Sequence, residues 1–232
     1  MSLLISGDLR LAKGAAMSWR ITPTQPIPAV IGGPFGGGYF AGYISHTADD
    51  SPTHALIVAP RATGATGTGY TLTTNLAWKT TNTTTTGTTS DFNGAANTAA
   101  MVTAGIADHP AANFCKNLSI GGFTDWYLPA RLELDIAYFN LKPSTATNDT
   151  NWGSNVYSVP RRPLSNTLSY PVQTPLTAFN TTSEAFTTGS SHWSSTQLSA
   201  LAGYWFGFGA GNQGGPSKDA ATPVRAFRRI AL

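Results

Sequence analysis

Gly121-Gly122-Phe123-Thr124-Asp125-Trp126-Tyr127-Leu128-Pro129-Ala130-Arg131-Leu132-Glu133-Leu134 is the stretch that decides the fold. Its paired glycines suit a tight turn, since glycine reaches positive φ at no steric cost. Trp126, and Trp193 further on, read as core or near-core aromatics. Pro129 is pre-organised for a first helical turn, and the apolar spacing from Leu132 to Leu141 predicts a helix that Lys142-Pro143 ends. Glu133 lies on the inward side of that helix, and we expect it to meet an arginine of the last strand, Arg228, as a structural ion pair.

Upstream of this block two helical stretches are expected, Asn97 to Gly105 and Pro110 to Leu118, separated by Asp108-His109-Pro110. Further back, Tyr39-Phe40-Ala41-Gly42-Tyr43-Ile44 and Ala55-Leu56-Ile57-Val58-Ala59 read as two strands of a hairpin around Asp49-Asp50-Ser51-Pro52. Ile31-Gly32-Gly33-Pro34-Phe35-Gly36-Gly37-Gly38 is a turn-rich lead-in. Residues 79–93 and 144–191 lack periodicity and are expected as long polar loops, the kind that usually carry function. Three short strands are expected to finish the chain. Residues 1–30, closing on Thr22-Pro23-Thr24-Gln25-Pro26-Ile27-Pro28, read as an attachment arm with a Pro-spaced linker, or else as a first strand laid on the main domain. The main domain takes residues 31–232.

Composition narrows the function. Of 232 residues only 11% are charged, against about a quarter in ordinary domains. Six Trp and eleven Phe supply core material, so low charge does not mean disorder here. The surface is therefore built from hydroxyls, amides and backbone, which suits assembly contacts or neutral polar partners. The net charge of +3 comes from few residues, and Arg161-Arg162 with Arg225, Arg228 and Arg229 are the only basic clusters. That does not make a phosphate-neutralising surface, so no nucleic acid is expected. The start of the chain is broken by Asp8 before a leader could form, and no apolar run is long enough to insert in a membrane. Synthesis in a cytoplasm is the expectation, under which the Asn-x-Ser/Thr matches at Asn82, Asn117, Asn148 and Asn180 carry no meaning.

Signatures of chemistry fail one by one. The glycines at 32–38 lack the Gly-Lys-Ser/Thr and Gly-x-Gly-x-x-Gly patterns of phosphate loops. The histidines His46, His54, His109 and His192 lack ligand spacing, and the single Cys115 excludes an intrachain disulfide or a cysteine zinc cluster. Ser194 and Ser195 beside His192 have no Gly-x-Ser-x-Gly turn. Glu133 and Asp135, two apart on a helix, point in different directions. Asp91-Phe92-Asn93-Gly94 begins like a calcium loop but lacks its distal Glu. The reading is of a non-enzyme with no cofactor and no metal.

The first block, then His192-Trp193-Ser194-Ser195-Thr196, then Val224-Arg225-Ala226-Phe227-Arg228 resembles, in that order, the DUF1566 (Lcl C-terminal) family. That family is similar to C-type-lectin-like and formylglycine-generating-enzyme-like folds. Phe35-Gly36-Gly37-Gly38-Tyr39-Phe40-Ala41-Gly42 and Ala55-Leu56-Ile57-Val58-Ala59-Pro60 resemble the versions carried by tailed bacteriophages. The resemblance covers residues 32–230. It implies an α+β, C-type-lectin-like domain with short twisted antiparallel strands, two main helical regions and long loops. In function it implies a tail-tip or fibre receptor-binding protein, homotrimeric and resident in the virion tail. Its arm would dock on other tail proteins, and its partner would be a host glycan, pilus or outer-membrane protein. The other readings are a structural baseplate or adapter component, a bacterial adhesin and, last, a depolymerase or oxidase relative.

Three departures from the family are visible. Members often carry a cysteine near Cys115 and another where Ala226 stands here. The lectin calcium motifs Glu-Pro-Asn or Gln-Pro-Asp with Trp-Asn-Asp are replaced, Trp193 being followed by Ser194-Ser195. The oxidase relatives need a cysteine pair. In such folds loops contact ligand, which selects Tyr204, Trp205, Asn212, Gln213, Lys218 and Asp219, with aromatics and amides on Gly-rich backbone. Trp205 suits the core equally well. Tyr157, Arg161 and Arg162 in the 144–191 loop form a second group.

Overall fold

A computed structural model describes residues 30–70, 72, 74–180 and 183–232. The expected arm over residues 1–30 therefore lies, except for Val30, outside the described residues. Among the described residues the architecture is mixed, with five α-helices and a curled antiparallel half-barrel sheet.

That sheet grows from the expected hairpin. Strand β1 (Pro34–Phe35) turns through Gly36 and Gly37, at φ +55° and +84°, into β2 (Gly38–Ile44). β2 pairs antiparallel with β3 (His54–Val58), from Tyr39 opposite Val58 to Ile44 opposite His54. The register slips by a bulge between Phe40 and Gly42. A side chain at Gly42 would run into Asn140 and Ile136 of the helix behind it, and the Ala41 carbonyl freed by the bulge accepts 2.8 Å from Asn140 Nδ2. β3 is buried from Ala55 to Val58 and has the terminal strand β12 (Phe227–Ala231) on its other side.

After β3 come helix α1 (Arg61–Gly64) and strands β4 (Ala65–Thr66) and β5 (Leu76–Ala77). Helix α2 (Gly94–Gly105) is capped by Asn93, whose Oδ1 accepts from Ala96 N at 2.9 Å. Helix α3 (Pro110–Lys116) places Pro110 in its first turn. His109 joins the two, with Nδ1 2.9 Å from the Gly105 carbonyl and Nε2 2.8 Å from Thr85 Oγ1. Residues 79–93 are the irregular tract expected. Helix α4 (Arg131–Leu141) begins one residue earlier than the apolar pattern predicts, with Pro129 just ahead of its Ala130 cap.

The 144–191 region departs from a plain loop. It adds strand β6 (Ser158–Val159) to the edge of β2, and helix α5 (Thr177–Asn180). The chain then runs through six short strands rather than three. β7 (Ser191–Gln197), β8 (Gly203–Gly207) and β9 (Gln213–Gly214) make a three-stranded sheet. β10 (Ala221–Thr222) pairs with β5, β11 (Val224–Arg225) with β4, and β12 with β3. Gly209, Gly211, Gly215, Pro216 and Pro223 fall between β8 and β11 and separate the strands there.

The three sequence blocks interlock. Tyr127 and Phe227 exchange both backbone hydrogen bonds, at 2.8 and 3.0 Å. Ser195 N donates to the Pro129 carbonyl at 2.7 Å, and Arg131 N to Thr196 Oγ1 at 3.2 Å. Trp126 and Trp193 are fully buried in one core cluster with Trp78 and Phe40; Tyr127, Tyr138, Phe206 and Phe208 anchor a second. Gly121 and Gly122, at φ +61° and +81°, form the tight turn expected, closed by Ile120 and Phe123.

The expected Glu133–Arg228 pair is not formed. Arg228 pairs with Asp125 and lies 3.8 Å from the Phe123 ring centre. Glu133 is fully buried and accepts instead from Tyr127 Oη at 2.8 Å, Ala130 N at 2.8 Å and Gly94 N at 3.2 Å. It is the back half of a capping box, which explains why a carboxylate follows Pro129 at that spacing. Among the described residues no helix is long and apolar enough to cross a membrane.

Candidate binding surface

Arg131, at the first position of α4, organises the surface around the first group of candidates. Its guanidinium grips Asp91 twice, Nε to Oδ1 at 2.6 Å and Nη2 to Oδ2 at 2.8 Å, in the fork geometry that suits a carboxylate. Nη1 donates to Gln213 Oε1 at 3.3 Å, and the guanidinium carbon lies 5.2 Å from the Tyr204 ring centre. Tyr204, Arg131 and Asp91 are half-buried, whereas Gln213 is buried. Sequence reasoning missed Arg131 and Asp91. Arg131 reads only as part of the block from Gly121 to Leu134, and Asp91 draws attention only as the start of an incomplete calcium loop.

The other residues of this group separate. Trp205 is half-buried at the rim of the first core cluster, its indole where a side chain at Gly214 would have to go. Asn212 similarly covers Gly207. Lys218 is not a surface group: it is fully buried, donating to the Thr83 carbonyl at 2.9 Å and to Gln197 Oε1. Burial, helped by the Lys79 charge, pulls its ammonium down to about 8. A Gly-rich flank suggested an open loop, but the Lys218 main chain bonds Trp78 and Lys79 and draws the side chain inward. Asp219 remains exposed, hydrogen-bonded by Ser217.

The second group also divides. Tyr157 stacks on Phe92, with centroids 4.0 Å apart and planes 15° apart. Phe92 meets His46 edge-on at 5.2 Å, and His46 lies 4.4 Å from His54. Arg229 Nη1 reaches His46 Nε2 at 3.3 Å and donates to Asn93 Oδ1 at 2.9 Å. Burial, the Arg229 charge and His54 hold His46 down at about 4, so it is neutral near pH 7. Arg161 is exposed, and its main-chain N–H donates to Asp50 Oδ1 at 2.6 Å. Arg162 is a scaffold residue, paired with the buried Asp135 and set 4.2 Å from the Phe139 ring centre.

The two groups meet along the chain, where Asp91 is followed by Phe92. Tyr204, Arg131 and Asp91 on one side and Phe92, Tyr157, His46, His54 and Arg229 on the other are all half-buried, and together they make a row joined at that peptide bond. Such a row offers ring faces, ring nitrogens and one compensated ion pair. It can stack on and hydrogen-bond an uncharged polar ligand with little ordering cost, because its members already fix one another.

The residues that suggested a nucleophile are engaged elsewhere. Ser194 Oγ donates to the Tyr204 carbonyl at 3.0 Å, Ser195 Oγ accepts from Asn97 Nδ2 at 3.2 Å, and His192 Nε2 shares a hydrogen bond with Tyr70 Oη. Among the described residues no three His, Cys, Asp or Glu side chains are grouped to hold a metal. No protein-family model and no curated protein sequence matches the chain.

Proposed function

We propose that this chain is a receptor-binding protein of a bacteriophage tail tip or fibre, built on a C-type-lectin-like domain of the DUF1566 kind. In this reading the row from Tyr204 to His54 contacts the host surface, and residues 1–30 dock onto the tail. The observation that carries it is the division of labour between residues. The three blocks that carry the resemblance are spent on one another: Tyr127 with Phe227, Ser195 with Pro129, Arg131 with Thr196. Cys115 and Ala226, where family members often carry two cysteines, fall in the same buried cluster. What the scaffold leaves at the surface is an aromatic and polar row on pinned backbone, suited to recognition.

The test is binding of fluorescently labelled full-length protein to phage-susceptible bacterial cells. Saturable binding weakened by Tyr204→Ala or Tyr157→Ala supports the proposal. Absence of binding by folded protein on every susceptible strain sinks it. The second reading, a baseplate or adapter component, is favoured by one feature, an exposed apolar loop at residues 163–172.

A further inference from the structure

We infer that the loop of residues 163–172 is a self-association surface, through which one copy of this chain meets a second. Four large apolar side chains stand in solvent within nine residues: Leu164 is 80% exposed, Leu168 63%, Tyr170 54% and Val172 61%. Scattered exposed leucines need no explanation, but a concentration of this kind marks an interaction site.

The loop is held from beneath. Asn148, almost fully buried, donates from Nδ2 to the carbonyls of Thr167 at 2.9 Å and Pro171 at 3.1 Å, and its own N–H donates to the Leu168 carbonyl at 3.0 Å. Asn155 and Arg162 exchange two backbone hydrogen bonds at its base, and Asn166 N donates to the Trp152 carbonyl at 2.7 Å. The Tyr170 ring rests edge-on against Phe139 at 5.3 Å. These hydrogen bonds fix the loop backbone, while Leu164, Leu168, Tyr170 and Val172 each stay more than half exposed. A loop that only joined two elements would turn its leucines inward.

Charge selects the occupant. From Pro163 to Ser183 the sequence has no Asp, Glu, Lys or Arg, in a chain whose net charge is +3. At a two-fold interface the residues near the axis meet their own equivalents, so a charge-free patch associates with itself without like-charge repulsion or desolvation of ions. A partner recognised by charge would have no group here to read.

Sedimentation velocity on the full-length protein over a broad concentration range tests this. The wild type is expected to associate reversibly. Leu164→Lys with Val172→Lys, both at exposed positions, is expected to raise the dissociation constant at least about a hundredfold. Leu198→Lys with Leu201→Lys, at the exposed turn between β7 and β8, is expected to leave it unchanged. A second readout needs no charge: Ser165→Cys carrying a polarity-sensitive dye should shift to the blue as concentration rises. The dye reports position 165 alone, because Cys115 is buried and burial pushes its thiol far up. The inference is overturned by a wild type that stays monomeric, by a Leu164/Val172 variant that associates like wild type, or by a dye that shifts only with phosphatidylcholine vesicles.

Discussion

The ammonium of Lys218 sits 4.6 Å from the centre of the Trp78 ring, and both side chains are fully buried. A cation in that place fastens the 79–93 tract through the Thr83 carbonyl and holds β7 through Gln197. Lys218→Ala removes these bonds and opens a cavity beside an indole. Urea unfolding is expected to show a loss of about 2–4 kcal/mol. Binding by the protein that remains folded should not change.

Adjacent arginines should behave in opposite ways. Arg162→Ala strands the buried Asp135 carboxylate, and unfolding free energy is expected to fall by about 3–5 kcal/mol. Arg161→Ala changes an exposed side chain, so its effect should stay within about 0.5 kcal/mol. The same urea titrations separate them.

Stability should depend on pH through two buried groups of opposite sign. Burial raises Glu133 to about 7 from an ordinary 4.5. The unfolded chain gives up this proton above 4.5 while the folded chain keeps it until about 7. This contribution is therefore full below pH 4.5 and lost as pH rises through 7. Burial lowers His192 to about 3 from 6.5, so between those values only the unfolded chain takes up a proton, and stability falls as pH drops from 6.5 toward 3. Glu133→Gln keeps the shape and can serve Tyr127, Ala130 and Gly94. Thermal melts should show that variant losing less midpoint than wild type between pH 5 and pH 8. An unchanged difference would mean that Glu133 does not titrate in that range.

On the binding row, Tyr204→Ala removes a ring that packs on Arg131 but is not buried in either core. Cell-binding isotherms are expected to shift by about tenfold, a loss near 1.4 kcal/mol, with a melting midpoint close to wild type. A large drop in midpoint would instead assign Tyr204 to the scaffold.

Where one local rule acts, the sequence was readable. The β2–β3 hairpin followed from two apolar runs around an Asp-rich turn, α4 from apolar spacing ended by Lys142-Pro143, and the Gly121-Gly122 turn from glycine alone. What escaped depended on partners far apart in sequence. Arg228 chose Asp125 over Glu133 because Glu133 was already occupied by N–H groups of its own helix start and of Gly94. Lys218 looked like a loop cation, and only the path of its main chain beside Trp78 turned it inward. Arg131 and Asp91 are forty positions apart and were not read as a pair.

The pairing of β12 with β3 has a consequence in time. Phe227 to Ala231 pair with β3, which lies before residue 60, and complete a sheet that otherwise holds β1, β2 and the short β6. Pairings this distant in sequence are slow to form, because the entropy of closing the intervening chain is lost before any contact compensates. Until they form, the apolar edge of β3, Ala55 to Val58, stays open to strands of other molecules. Refolding of this protein should therefore be a race between closing the ring of its own chain and capture by a neighbour, won at low concentration and lost at high.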